Sequence, residues 1–257
     1  MQRSAGFLTA MLAAVLVTVP CRGQSSPPAT NSQADKSGDP AEEEACKLLP
    51  YVGTIPLTKL PNYFPDEPDL RGGMICQYRI SAELPLFSFH FIGKPDNSLG
   101  DIEVTEEPST TILQTIENST DWSAVVPQLV TNVLSTVDAN FDGYEDLQIL
   151  SQCGGTGNCT YDFYLYDRVT GQFIRNEFLS SNLCSPEFYD DTKQITTHSH
   201  GSASDWQNDT YQYADGRYTL IRQEISSRDD KTENVTVSTY ELRNGKMELV
   251  NSETEHQ

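Results

Sequence analysis

Two dipeptides constrain this chain most. Asp215-Gly216 lies between TYQYA and RYTLIRQEI, and Asn244-Gly245 lies between VTVSTYELR and KMELV. Both dipeptides accept the positive φ angles of a two-residue hairpin turn, and their flanks are rich in strand-forming residues. A third hairpin is read from YDFYLYD, RVTG and QFIRN. In its first strand Phe163 and Leu165 share one face, and Tyr164 and Tyr166 share the other. Apolar character on both faces predicts a central strand covered on both sides. Upstream, MICQYRIS, LFSFHFI, IEVTE and TTILQTIE are strand-like. Trp122 to Val137 is interrupted by Pro127, so a short helix or an irregular crossing is expected there. The predicted fold is all-β, with antiparallel sheets and hairpins in a sandwich or propeller-like arrangement of one or two lobes. No repeat of 20–50 residues is present, which argues against a full propeller of copied blades.

The N-terminus has a different character. Arg3 followed by the apolar stretch Phe7 to Val19 reads as a signal peptide over residues 1–23, too short for a comfortable membrane span. Cys21 offers an alternative as a lipidated cysteine, though Thr18 and Pro20 suit that signal poorly. Residues 24–45, which begin QSSPPATNSQADKSGDPAEEE, carry no large apolar side chain and are expected to be a disordered tether. The remainder divides into a β lobe at 46–125, a second β domain at 126–250 and a disordered tail at 251–257. Export predicts a periplasmic or secreted protein in an oxidising compartment.

Five cysteines follow the signal peptide, so at least one stays outside intrachain disulfides. Cys153 and Cys159 flank the turn-like GGTGN, and Cys46 could staple the domain's start to Cys76. Together they make one of the fifteen possible arrangements of two bonds among five cysteines. No C-x-x-C pair exists and the four histidines are scattered, so a structural zinc site is not expected.

With 17 Lys+Arg against 37 Asp+Glu, the 257-residue chain has a formal charge of −20. Loss of Arg3 and Arg22 with the signal peptide takes this to −22. Such a field excludes nucleic-acid binding through phosphate neutralisation and attachment to anionic lipid through basic residues. It suits a basic protein partner, a cationic ligand or a divalent metal.

The segment VDANFDGYEDLQIL carries the most specific chemistry. Asp138, Asn140 and Asp142 alternate, Gly143 permits a sharp turn, and Asp146 follows. Alternate oxygen side chains of this kind can converge on one hard cation, with the Tyr144 carbonyl as a further donor and Asp146 binding directly or through water. Three carboxylates and flexible geometry favour Ca²⁺ over Mg²⁺. The place of a bidentate Glu in a helix-loop-helix hand is taken by Ile149, and the flanks read as strands, so this is not an EF-hand. The expected role of the ion is structural.

With this loop identified, DANFDGYEDLQIL, GGTGN, YDFYLYDRVTGQFIRN and ITTHSHGSASDWQNDTYQYADGRYTLIRQE together resemble a bacterial exported family. Its members carry one FG-GAP/VCBS-like calcium loop and include periplasmic immunity proteins that neutralise peptidoglycan hydrolases of competing bacteria. The resemblance covers about residues 130 to 225. It implies a fold like that of invertebrate-type lysozyme inhibitors, calcium held by Asp138, Asn140, Asp142, Tyr144 and Asp146, and a hydrolase as partner.

A candidate partner surface lies in SHGSASDWQNDTY. The small residues Gly201 to Ser204 suit a loop that enters a narrow cleft. Ser202 and Ser204 lie in that run, Asp205 could meet cationic side chains, and Trp206 could anchor the contact. The alternative places Gly201-Ser202 in a plain turn and Trp206 in the core at the start of a strand. GSAS is not G-x-S-x-G, and His198 and His200, read as exposed loop residues, have no orienting acid. No enzyme activity is expected. The predicted function is inhibition of a lysozyme-like peptidoglycan hydrolase by an immunity protein, and the predicted partner is a basic hydrolase of this kind or another exported protein. The alternative is a calcium-stabilised adhesion or glycan-binding module. Any membrane association would run through a lipid on Cys21.

Overall fold

The structure is a computed structural model that describes residues 46–60, 68–120, 130, 132–154 and 157–255. The expected signal peptide, tether and Cys21 lie outside these residues, as does most of the Trp122–Val137 stretch.

The chain forms three antiparallel meanders in sequence order. The first comprises β1 (Lys47–Leu48), β2 (Met74–Tyr78), β3 (Phe87–Gly93), β4 (Leu99–Glu106) and β5 (Gln114–Ile116). The second comprises β6 (Leu134–Val137), β7 (Asp146–Cys153), β8 (Cys159–Asp167) and β9 (Gln172–Arg175). The third comprises β10 (Glu187–Tyr189), β11 (Gln194–His200), β12 (Trp206–Ala214), β13 (Arg217–Arg228), β14 (Val235–Arg243) and β15 (Lys246–Glu255). The all-β antiparallel expectation holds. Among the described residues no helix is long and apolar enough to cross a membrane.

Side-chain alternation decides how the meanders stack. Phe87, Phe89 and Phe91 alternate along β3 and are fully buried. Phe87 meets Tyr166 at 6.0 Å and Phe173 at 5.7 Å between ring centroids. The opposite face of β8 carries Phe163, which packs with Leu179, Ile195 and Tyr211. The second sheet therefore stands between the other two, with Tyr164 and Tyr166 toward the first and Phe163 and Leu165 toward the third. Fully burying one such aromatic contributes roughly 1.5–3 kcal/mol.

Polar contacts align the layers. The Gln114 amide donates to the Phe173 carbonyl at 2.7 Å and accepts the Phe173 N–H at 2.9 Å, so one side chain replaces a ladder rung between two sheet edges. Tyr78 donates its hydroxyl to the Leu134 carbonyl at 2.7 Å. The division expected at residue 125 thus falls between two sheets that share one continuous core.

Both turn dipeptides behave as their chemistry requires. Asp215 and Gly216 adopt φ of 51° and 73°, and Asn244 and Gly245 adopt 51° and 78°. Each closes a two-residue hairpin, with Ala214 opposite Arg217 and Arg243 opposite Lys246. One expectation is corrected. Asn251–Glu255 are not a disordered tail, because Glu255 pairs with Val235 and the segment completes β15. Its side chains are exposed, so backbone pairing holds it rather than apolar burial. His256 and Gln257 lie outside the described residues.

A short helix, α1 (Glu177–Asn182), was not foreseen. Asn176 caps it by accepting the Leu179 N–H at 3.0 Å, and Leu179 is buried between the second and third sheets. Disulfides join Cys46 to Cys76 and Cys153 to Cys159, which fits an oxidising compartment. Cys184 is buried and belongs to neither bond.

Candidate metal loop and hairpin tip

The Asp138–Asp146 loop connects β6 to β7. Its first turn is organised by carboxylate and amide oxygens. Asp138 accepts the N–H groups of Asp142 at 2.9 Å and Gly143 at 2.8 Å. Asn140 Oδ1 accepts the same Asp142 N–H at 3.1 Å, so its oxygen and that of Asp138 converge. Asn140 in turn donates to Asp142 Oδ2 at 3.2 Å, which brings the third side chain to the group. Positive φ at Phe141 (56°) and Gly143 (89°) makes this coil possible.

Asp146 plays a different part. It is fully buried, and its two oxygens accept the N–H of Ala139 at 3.0 Å and of Tyr166 at 2.8 Å. Burial pushes its carboxyl up to about 7, against the two N–H donors, with Asp142 and Asp138 adding repulsion. Burial also raises Asp138. Among the described residues, no three His, Cys, Asp or Glu side chains close into a metal-binding group by themselves. The convergent part of the loop is Asp138, Asn140 and Asp142, with Asp146 as the inner wall.

Strands and connections of all three meanders brace the loop. Glu145 donates its N–H to the Ile80 carbonyl at 2.8 Å. The Tyr144 ring stacks on Tyr166 at 5.7 Å, and the Arg168 guanidinium lies over Tyr144 at 5.2 Å. Tyr218 donates its hydroxyl to the Ala139 carbonyl at 3.3 Å, and Phe141 meets Tyr213 at 5.8 Å. A cleft of about 450 Å³ opens beside the loop, lined by Asn140, Asp142, Arg168 and Arg175 among others.

The second candidate region is the β11–β12 hairpin tip, Gly201–Asp205. Ser202 Oγ accepts the N–H groups of Ser204 at 3.2 Å and Asp205 at 3.0 Å, and donates to Asp205 Oδ2 at 2.5 Å. Asp205 Oδ1 accepts the Arg228 N–H at 3.0 Å, and the Ser204 carbonyl accepts the Ser226 hydroxyl at 2.8 Å. The Ser202 hydroxyl and the Arg228 N–H hold the Asp205 carboxyl below its usual range. The Asp205 carboxylate is thus committed within the fold. Gly201, Ser202 and Ala203 are exposed, whereas Trp206 is half-buried as the first residue of β12, outside the buried core.

Sequence reasoning also misplaced two histidines. His198 and His200 are half-buried strand residues of β11 rather than exposed loop residues. Their spacing of two places both rings on one face, a signal legible only once the segment is read as a strand.

No protein-family model matches the sequence, and no curated protein matches it. Among solved structures, a Xanthomonas protein described as related to a type IV secretion system is similar at 20% identity and a TM-score of 0.49. The match covers 70% of this chain and 94% of that protein.

Proposed function

We propose that this chain is an exported, calcium-binding inhibitor of a peptidoglycan hydrolase of lysozyme type, acting as an immunity protein. The observation that carries this reading is the pre-organised hairpin tip. Its small side chains face solvent, while its polar groups are satisfied internally by Ser202, Asp205 and the Arg228 N–H. A turn that is already ordered in the free protein suits entry into a catalytic cleft, because the loop-ordering part of the cost of docking is met before binding. The net charge of −20 supports steering toward a basic enzyme. The two disulfides support residence in the periplasm or outside the cell.

Calcium belongs to this reading as a brace. The oxygens of Asp138, Asn140 and Asp142 converge and suit a hard cation, with the Tyr144 carbonyl and Asp146 completing the set. A bound ion would supply charge neutralisation at a carboxylate-rich turn where Asp142 and Asp138 repel Asp146.

The test is titration of the mature protein against a panel of lytic hydrolases, with calcium and with chelator. Stoichiometric inhibition of one of them supports the proposal. Binding to none, together with specific retention on glycans, would replace it with an adhesion or glycan-binding module.

A further inference from the structure

We propose that the outer edge of β15 takes up, by strand addition, an extended segment of another protein in which basic and apolar side chains alternate. The inference does not rest on the identity of any hydrolase.

The three sheets end very unequally. The first closes on β1 and β5, of 2 and 3 residues, and the second on β6 and β9, of 4 residues each. The third begins with β10, of 3 residues, and finishes with β15, of 10. Among the described residues the sheet has no strand beyond β15. In an antiparallel ladder alternate residues turn their N–H and C=O groups away from the neighbouring strand. The outer side of β15 therefore directs a row of donors and acceptors outward.

Short strands, proline and lysine normally blunt such an edge. Lys246–Glu255 holds no proline, and its one lysine is its first residue. A bulge at Val250 interrupts the register, since Thr239 pairs with Asn251 and Tyr240 with Leu249. Past it, Asn251–Glu255 runs in regular register opposite Val235–Thr239.

The two faces of this edge select its occupant. Pairing with Glu241, Val237 and Val235 places Glu248, Glu253 and Glu255 on one face, all exposed. On that face Glu241 ion-pairs with Arg222 at 3.4 Å and with Arg243 at 3.0 Å. Glu248, Glu253 and Glu255 form no ion pair with another described residue. The opposite face sets Met247 beside Leu242 and Leu249 beside Tyr240. None of these four belongs to either buried core, and Leu249 is 56% exposed. An added strand would lay every second residue along the carboxylates and the intervening ones along the apolar face. Lys or Arg alternating with apolar side chains meets both demands. The β15 strand of a second copy would instead bring the same glutamates onto the acidic face, in a chain of formal charge −20. Like charges across strands repel, so the acids exclude self-association while admitting a basic strand.

The test uses the full mature chain with its disulfides intact and, as probe, the peptide acetyl-Lys-Val-Lys-Thr-Lys-Val-Lys-Thr-amide. Calorimetry should show one equivalent bound, and alternate backbone amides of Asn251–Glu255 should gain protection from hydrogen exchange. N-methylation of alternate peptide nitrogens removes donors and keeps every charge, and it should abolish binding. Glu253→Lys/Glu255→Lys should weaken binding by roughly 10-fold, the size of two exposed charge contacts, with unchanged circular dichroism. Leu249→Ser should weaken it as well. Equal binding of the N-methylated peptide would overturn the proposal, since charge attraction alone would then account for it. Protection gained elsewhere in the chain, or no binding of the probe, would overturn it too. So would a concentration-dependent dimer protected at β15, which would make a second copy the occupant.

Discussion

The carboxylate of Asp146 accepts the backbone N–H of Tyr166 at 2.8 Å across twenty residues of sequence, inside a fully buried environment. Its other oxygen holds the N–H of Ala139 at 3.0 Å. One side chain therefore ties the loop's exit both to its entry and to the central strand β8. Asp146→Ala would leave two buried N–H groups without acceptors. The expected cost is about 2–4 kcal/mol, measured by urea denaturation in chelator so that metal loss does not contribute. A cost under about 0.5 kcal/mol would show that the loop does not depend on this tie.

The calcium reading makes a thermal prediction. An ion that binds only the folded chain at a hundredfold excess over its Kd stabilises by about 2.7 kcal/mol. For a domain of this size that amounts to a Tm increase of roughly 5–10 °C over chelator. Asp142→Ala should remove the increase, since Asp142 lies in the convergent part of the loop. Identical melting of the native chain in calcium and in chelator would eliminate the ion from the account.

The two disulfides close loops of different length. Cys46 and Cys76 are 30 residues apart, and Cys153 and Cys159 are 6 apart. Chain entropy predicts that replacing the first pair by serine costs about 1.4 kcal/mol more than replacing the second. Denaturation of the two double variants measures the difference, and a reversed order would point to a dominant local effect at the shorter loop.

The hairpin tip separates docking from folding at Ala203. This residue is exposed, and its neighbours Ser202 and Asp205 hold the turn. Ala203→Arg should block hydrolase binding while stability stays within about ±0.5 kcal/mol. An inhibitor whose activity survives this change does not use the tip.

Asp205 should show a characteristic acid response. Its folded carboxyl lies below the usual 3.8, chiefly through the Ser202 hydroxyl and the Arg228 N–H. A lowered folded value means that the stabilisation is present above the unfolded pKa and is lost as pH falls through the folded one. The Arg228 amide resonance should follow that titration with a midpoint below 3.8. A midpoint at or above this value contradicts the clip.

Much of this molecule was legible before its three-dimensional arrangement. Asp215-Gly216 and Asn244-Gly245 announced their hairpins, because the demand for positive φ acts within two residues. The facing of Phe163 against Tyr164 followed from alternation along one strand. The alternate oxygens at Asp138, Asn140 and Asp142 followed from spacing within one turn. These are short-range rules, and the residue order alone determines them. Tertiary structure decided what depends on partners far along the chain: which cysteines pair, and that Asp146 reaches Tyr166. It also decided that Asp205 answers to Arg228, that the polar run Asn251–Glu255 is held by β14, and that His198 and His200 are posed by Asn208 and Asn158. The physical reason is that backbone pairing and side-chain clamps between distant segments leave no periodic signature in either segment by itself.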